Sequence, residues 1–254
     1  MFKQTIIAAA KAGEEVLRKY YHNSFTVASK TTINDIVTQA DTESETAIIN
    51  IIKAAYPTHF IYSEEAGELA QNSDYKWIID PIDGTVNFAH GLPLCAISIA
   101  LAYKNEVILG VVNCPFLNEF YIAAKGEGAT MNGKPIKVSN QANIKRALVS
   151  TGFAYEWQAG GYNPMVPFEA MMKMNVPVRR IGTAAVNLCW IAAGRTDGYW
   201  EHNLHAYDVA AGFLIITESG GTVTTFDGLP YNPWEPRIVA TNGLIHKEIL
   251  ERLF

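Results

Sequence analysis

Three apolar runs follow one another in the middle of the chain, LCAISIALAY (94–103), EVILGVVNC (106–114) and EFYIAAKG (119–126). The gaps between them, Lys104-Asn105 and residues 115–118, are far too short to hold a crossover helix, so neighbouring runs must pair antiparallel. With the turn Asn132-Gly133 beyond them, the text from 95 to 136 predicts an antiparallel meander. After residues 147–150 the pattern alternates instead. A helix over 182–194 precedes a strand at 198–200, and a second helix over 207–219 stops at Gly220-Gly221. Strands at 221–226 and 237–240 and a closing helix at 244–254 follow. Antiparallel strands first and alternation second predict a mixed α/β protein built in layers. Its 254 residues suffice for two packed halves, expected at 1–140 and 141–254 as one compact unit.

The first half opens with two helices, 2–21 and 41–55. In the first, Phe2, Ile6, Ala10, Val16, Leu17 and Tyr20 follow helical spacing with Lys11, Glu14 and Glu15 between them, the pattern of an amphipathic surface helix and not of an uninterrupted signal core. A strand at 59–62 runs into Ser63-Glu64-Glu65, and Trp77-Ile78-Ile79 ends at Asp80. No apolar run reaches membrane-spanning length, and a cytoplasmic protein is expected. A net charge of −5, with no basic run longer than Arg179-Arg180, argues against direct nucleic-acid binding. The three cysteines, Cys95, Cys114 and Cys189, each lie in an apolar run and read as buried free thiols.

The stretch WIIDPIDGTVNF (77–88) carries buried-strand residues straight into two carboxylates, Asp80 and Asp83. Pro81 fixes the turn between them and Gly84 permits a sharp bend. Two carboxylates locked so close repel unless a cation sits between them. A hard divalent ion such as Mg2+ takes oxygen ligands, and this turn offers two carboxylates and the Ile82 carbonyl. Asp-Pro-x-Asp-Gly alone also describes a plain surface turn, but a buried strand seldom ends in two charges without a partner. Further acids stand in DIVTQAD (35–41), at Glu64-Glu65 and at Asp208. Most of these mark the end of an apolar segment or the start of a helix, and such ends line up along one edge of a layered α/β protein, where ligands bind. Backbone N–H groups of Gly84-Thr85 would face a phosphate there, and metals held by the acids would grip it from the other side.

Together, WIIDPIDGTVNF and YWEHNLHAYDVAAGFLIITESGG (199–221) resemble the paired signatures of the inositol monophosphatase family, with DIVTQAD and SEEAG where that family places its remaining acids. The resemblance implies a layered αβαβα sandwich of the inositol monophosphatase and fructose-1,6-bisphosphatase type, a homodimer, Mg2+ dependence with two to three ions per subunit, and sensitivity to Li+. It implies that Glu64, Asp80 and the Ile82 carbonyl hold one Mg2+, that Asp80, Asp83 and Asp208 hold a second, and that a looser third lies near Glu64. Thr85, hydrogen-bonded to Asp41, would orient the attacking water, making Thr85, Asp41 and Glu64 the catalytic set. Gly84 and Thr85 would bind phosphate, and Asp83, Ala184 and Glu201 the alcohol. Glu65, Lys30 and His205 map beside the site. The chain departs from the family pattern at Tyr207, where tryptophan is usual, and at His202-Asn203.

The implied reaction is hydrolysis of a small phosphate monoester, first among them inositol monophosphate, by metal-activated water. Relatives act on histidinol phosphate, fructose 1,6-bisphosphate, NADP or 3′-phosphoadenosine 5′-phosphate. The nucleotide-directed ones tend to read DPLDGTKEF, so DPIDGTVNF favours the inositol branch. A reading of another class also follows from the resemblance, because some bacterial relatives serve as binding proteins in transcription complexes.

Overall fold

Helix α1 (Phe2–Tyr20) buries Ile6, Ala9, Ala10, Gly13, Leu17 and Tyr20, and α2 (Gln39–Ala55) buries Ala40, Ile48, Ile49 and Ile52. These three- and four-residue spacings put one apolar stripe on each helix. The stripes close on each other and on the large sheet behind them. The computed structural model describes residues 1–29, 36–69, 72–153 and 161–254, so Lys30 and Asp35 lie outside the described residues. Between the two helices, β1 (Val27–Ser29) and β2 (Ile36–Thr38) form an antiparallel ribbon.

Among the described residues the large sheet has eight strands: β3 (Phe60–Ser63), β4 (Gly67–Leu69), β5 (Tyr75–Asp83), β6 (Ala96–Tyr103), β7 (Glu106–Cys114), β8 (Glu119–Ala124), β9 (Gly128–Met131) and β10 (Lys134–Pro135). Their order is β10-β9-β8-β7-β6-β5-β3-β4, parallel only between β3 and β5. The expected meander is present as β6, β7 and β8. Lys104 and Asn105 take φ 49° and 67°, and Asn132 and Gly133 take φ 51° and 75°, the paired left-handed residues of a primed hairpin turn that matches strand twist. Strand β6 reads as continuously apolar because both its faces are covered. Ile97, Ile99 and Leu101 face the first two helices, and Ala96, Ala100 and Ala102 face the next helical layer.

That layer is α5 (Ala184–Ala192) and α6 (Ala206–Glu218), and small residues set its closeness. A Cβ on Gly110 of β7 would stand 3.0 Å from the Ala211 carbonyl oxygen. Beyond it lies the second sheet, of β11 (Val149–Thr151), β12 (Val178–Arg179), β13 (Gly198–His202), β14 (Thr222–Thr224) and β15 (Arg237–Thr241), in the order β12-β11-β13-β15-β14. Its outer face carries α4 (Met165–Lys173) and α7 (His246–Leu250), with Met171 and Ile249 packed against Val149, Trp200 and Val239. The result is the αβαβα sandwich. The first sheet's strands fall between Phe60 and Pro135 and the second's between Val149 and Thr241. A division near residue 140 is our proposal for two halves that share the core between the sheets.

Several sequence expectations are corrected. Strand β5 does not end at Asp80 but continues through Asp83. The closing helix spans His246–Leu250, not 244–254, and its start is set by the N–H groups of Leu244 and Ile245, which turn back onto Asn242 Oδ1 at 3.0 and 3.4 Å. Strand β14 is Thr222–Thr224, shorter than 221–226. The sequence reading missed α4, which buries only Pro167 and Met171 and so carries little apolar stripe. Its proline sits in the first turn, where a missing N–H costs nothing. It also missed the short strands β1, β2, β4 and β12. The three cysteines are buried free thiols, and among the described residues no helix is long and apolar enough to cross a membrane.

Candidate active site

The double aspartate is explained by a bulge. Strand β5 pairs with β6 as Asp80↔Ser98 and again as Asp83↔Ala96, with a shift of register between. Three steps on β5 oppose two on β6, so one extra residue is inserted where Pro81 has no N–H for the ladder. On a regular strand, residues three apart point to opposite faces. The extra residue reverses that parity, and Asp80 and Asp83 line one pocket of about 160 Å³ together with Glu64, Asp208, Ile82 and Thr85. Ile36, Gly84, Val86 and Gly182 complete its walls.

Each acid is held by a different element. Asp80 accepts a 3.0 Å hydrogen bond from the Ile82 N–H. Asp83 Oδ2 accepts from the Thr183 hydroxyl and the Ala185 N–H, both at 2.6 Å, at the start of α5, where the helix dipole favours an anion. Asp208, in the first turn of α6, accepts from the His205 N–H at 2.6 Å. Glu64 and Glu65 sit on the loop after β3, which Glu45 of α2 anchors by accepting from the Ser63 hydroxyl and from the Glu65 and Ala66 N–H groups. Gly84 takes φ 94°, and a Cβ on it would stand 2.9 Å from the Leu94 carbonyl oxygen. Only glycine permits this turn into α3 (Thr85–Ala89).

At the pocket wall the Thr85 hydroxyl lies 2.9 Å from both Asp41 Oδ1 and the Ile82 carbonyl oxygen. Asp41 Oδ2 accepts from the Thr38 N–H at 2.8 Å and the Thr38 hydroxyl at 2.5 Å. Asp41 is thus fixed by the capping box that starts α2.

The electrostatics follow from crowding buried acids into one site. Burial pushes Asp80 well above the usual carboxylate range, and repulsion from Glu64, Asp83 and Asp208 adds to it. Asp208 is raised in the same sense by burial and by Asp83. Burial lifts Asp83 to about 6 against the pull of Thr183 and Ala185, and lifts Asp41 to about 6 against its hydrogen bonds from Thr38 and Thr85. Among the described residues no three acid, histidine or cysteine side chains stand as a ready-assembled metal cluster. The donors facing the pocket are nonetheless all oxygen, and their mutual repulsion is what a divalent cation relieves, so the residues fit a hard ion by chemistry and by charge.

Most of the residues singled out from sequence come together here. Glu64, Asp80, Ile82, Asp83, Gly84, Thr85 and Asp208 line the pocket, with Asp41 directly behind Thr85. Ala184 and Glu201 lie outside that lining. Ala184 opens α5 beside Asp83, and Glu201, half-buried on β13, is raised to about 7 by burial, with Asp83 repelling it. The His205 ring is exposed and stacks on Tyr207 at 5.0 Å, and Tyr207 in turn meets Tyr62 at 5.6 Å. The sequence reading missed the supporting groups Thr38, Glu45 and Thr183. Thr38 and Thr183 were legible as threonines just before helices. Glu45, mid-helix, gave no signal.

A five-layer α/β sandwich with an acidic, oxygen-lined pocket at the end of its central strands defines a class of phosphatase folds. The chain belongs to the inositol monophosphatase family, whose sequence model matches residues 2–254. It is 42% identical over 228 residues to an inositol-1-monophosphatase of Synechocystis sp., covering 89% of this chain and 79% of that protein. It is 39% identical over 259 residues to the Nus factor SuhB of Pasteurella multocida, covering 100% of this chain and 95% of that one. Among solved structures, the extragenic suppressor protein suhB from Bartonella henselae superposes with a TM-score of 0.93 at 34% identity, over 99% of this chain and 98% of that chain.

Proposed function

We propose that this phosphatase hydrolyses small phosphate monoesters of polyols, inositol monophosphate first among them, with Mg2+ as the ion its pocket takes. The observation that carries the reading is the meeting of Glu64, Asp80, Asp83 and Asp208 with Thr85 around one cleft. Glu64, Asp80 and the Ile82 carbonyl would hold one ion, and Asp80, Asp83 and Asp208 a second, with a looser third near Glu64. Bound there, the ions would neutralise the acids and stabilise charge on the phosphoryl oxygens.

The chain's own groups supply the rest. The N–H groups of Gly84 and Thr85, at the open start of α3, would receive phosphate oxygens. The Thr85 hydroxyl, donating to Asp41, keeps its lone pairs for a water and so sets the line of attack on phosphorus. Cys95, Cys114 and Cys189 are buried and their thiols pushed up in pKa by burial, which makes them poor nucleophiles. Asp83, Ala184 and Glu201 would meet the alcohol, and Glu65 and His205 would flank the site.

A panel of inositol 1-phosphate, histidinol phosphate, fructose 1,6-bisphosphate, NADP and 3′-phosphoadenosine 5′-phosphate, assayed with Mg2+, tests the substrate. Preference for a substrate other than inositol 1-phosphate would move the assignment within the same chemistry. Likeness to a protein named as a Nus factor supports a second reading, binding to a transcription complex. Capture of such a complex from cell extract by both the wild type and Asp80→Asn would favour it. A homodimer in the cytoplasm completes the proposal, and light scattering on the purified protein checks the oligomer.

A further inference from the structure

Strand β13 brings Tyr199 and Glu201 to one face, two residues apart. Tyr199 is fully buried in the core between the sheets, and its hydroxyl donates to Glu201 Oε2. On the neighbouring strand, β11 runs parallel to β13 with Thr151 opposite Trp200, which sets Gly152 beside Glu201. There the carboxylate occupies the place a side chain would take: a Cβ built on Gly152 falls onto Oε1, Oε2 and Cδ of Glu201. Gly152 is not in the left-handed region, so the missing methyl serves space and not backbone conformation.

The Glu201 carboxylate is therefore fixed from two sides, by a hydrogen-bond donor rooted in the core and by a bare stretch of backbone. We propose that Gly152 and Tyr199 are positioning residues for Glu201, setting its carboxylate where it selects among the alcohol groups of phosphate-ester substrates. The proposal rests on reading Glu201 as a contact to the alcohol. A methyl at 152 must displace the carboxylate, since the alternative is to move a strand of the second sheet. Phenylalanine at 199 keeps the ring in its core site but leaves Oε2 without its donor, so the carboxylate is free to turn.

The test compares inositol 1-phosphate with p-nitrophenyl phosphate, a monoester whose alcohol has no further hydroxyl groups, at saturating Mg2+. Gly152→Ala and Tyr199→Phe should each raise KM for the inositol ester about tenfold, with activity on the aryl ester kept within about twofold. In the Glu201→Ala background, Gly152→Ala should add less than about twofold, because the group it displaces is gone. A crystal structure of Gly152→Ala should show the carboxylate moved. Equal losses on both substrates, a full Gly152→Ala effect without Glu201, or an unmoved carboxylate would each overturn the proposal while leaving the phosphatase reading intact. A wild type inactive on both esters would instead defeat that reading, and the selection role with it.

Discussion

The hydroxyl of Thr85 and the carboxylate of Asp41, 44 residues apart in sequence, meet at 2.9 Å at the wall of the acidic pocket. The two ends of the contact are fixed independently, Asp41 by the capping box of α2 and Thr85 by the bulged end of β5. If the pair orients water, Thr85→Ala and Asp41→Asn should each lower kcat sharply, on the order of a hundredfold or more, a barrier change of about 3 kcal/mol. KM and Mg2+ affinity should hardly move. The double variant should lose little more than either single one, because the two act as a unit. Losses that add in log rate would break the relay. A hydroxyl that only braces a helix start would show itself as about 1 kcal/mol of stability at full activity.

The crowded acids predict a response to Mg2+ that needs no substrate. An ion that binds only the folded chain stabilises it by about 2.7 kcal/mol at a hundredfold excess over its Kd. For a chain of this length that is a rise in Tm of roughly 5–10 °C. A melting curve indifferent to millimolar Mg2+, against a control matched in ionic strength, would contradict the assignment of the pocket to a divalent cation.

How far the sequence could be read is decided by the range of the signal. Hairpins written in neighbouring residues, Lys104-Asn105 and Asn132-Gly133, were legible, as was the acidic motif at 80–83. The bulge that turns Asp80 and Asp83 to one side was not, because it exists only as register against Ser98 and Ala96. Glu45 carries a helix-interior pattern and reveals its hold on the Glu64–Glu65 loop only when α2 is laid against β3. Gly152 looks like an ordinary loop glycine until Glu201 is seen in the place of its side chain. Local turn chemistry is written in order along the chain, whereas support across strands is not.

His246 should make stability depend on pH away from the pocket. Its ring is buried at the start of α7, with Nε2 2.9 Å from the Thr224 hydroxyl and Nδ1 2.9 Å from that of Thr241. Burial lowers its pKa below the usual histidine value. The unfolded chain then binds the proton more readily than the folded one. The contribution is fully present above the unfolded pKa of about 6.5 and is lost as pH falls through it toward the folded value. Between about pH 7.5 and about pH 5.5 the wild type should therefore lose Tm relative to His246→Gln, which cannot titrate there. Equal slopes for the two proteins would exclude the histidine as a source.

Asp80 carries the sharpest division between charge and structure. It is buried, faces Glu64, Asp83 and Asp208, and would be shared by two ions. Asparagine at this position keeps the side-chain shape and an oxygen to accept from the Ile82 N–H, now at 3.0 Å, but removes one negative charge from a site that repels itself. Two opposite effects should follow. Without metal, Asp80→Asn should be at least as stable as the wild type near neutral pH, since the cost of burying a carboxyl among like charges, as the ion or as the acid forced to hold its proton, is gone. With Mg2+, the stabilisation seen in the wild type should be largely lost. Phosphatase activity should drop about a thousandfold, as expected for losing about 4 kcal/mol of transition-state charge stabilisation. Melting curves with and without Mg2+, run beside the rate assay, read all three. Activity within tenfold of wild type at saturating Mg2+ would remove Asp80 from the metal set. A variant that melts much earlier without metal would show that its charge supports the fold instead.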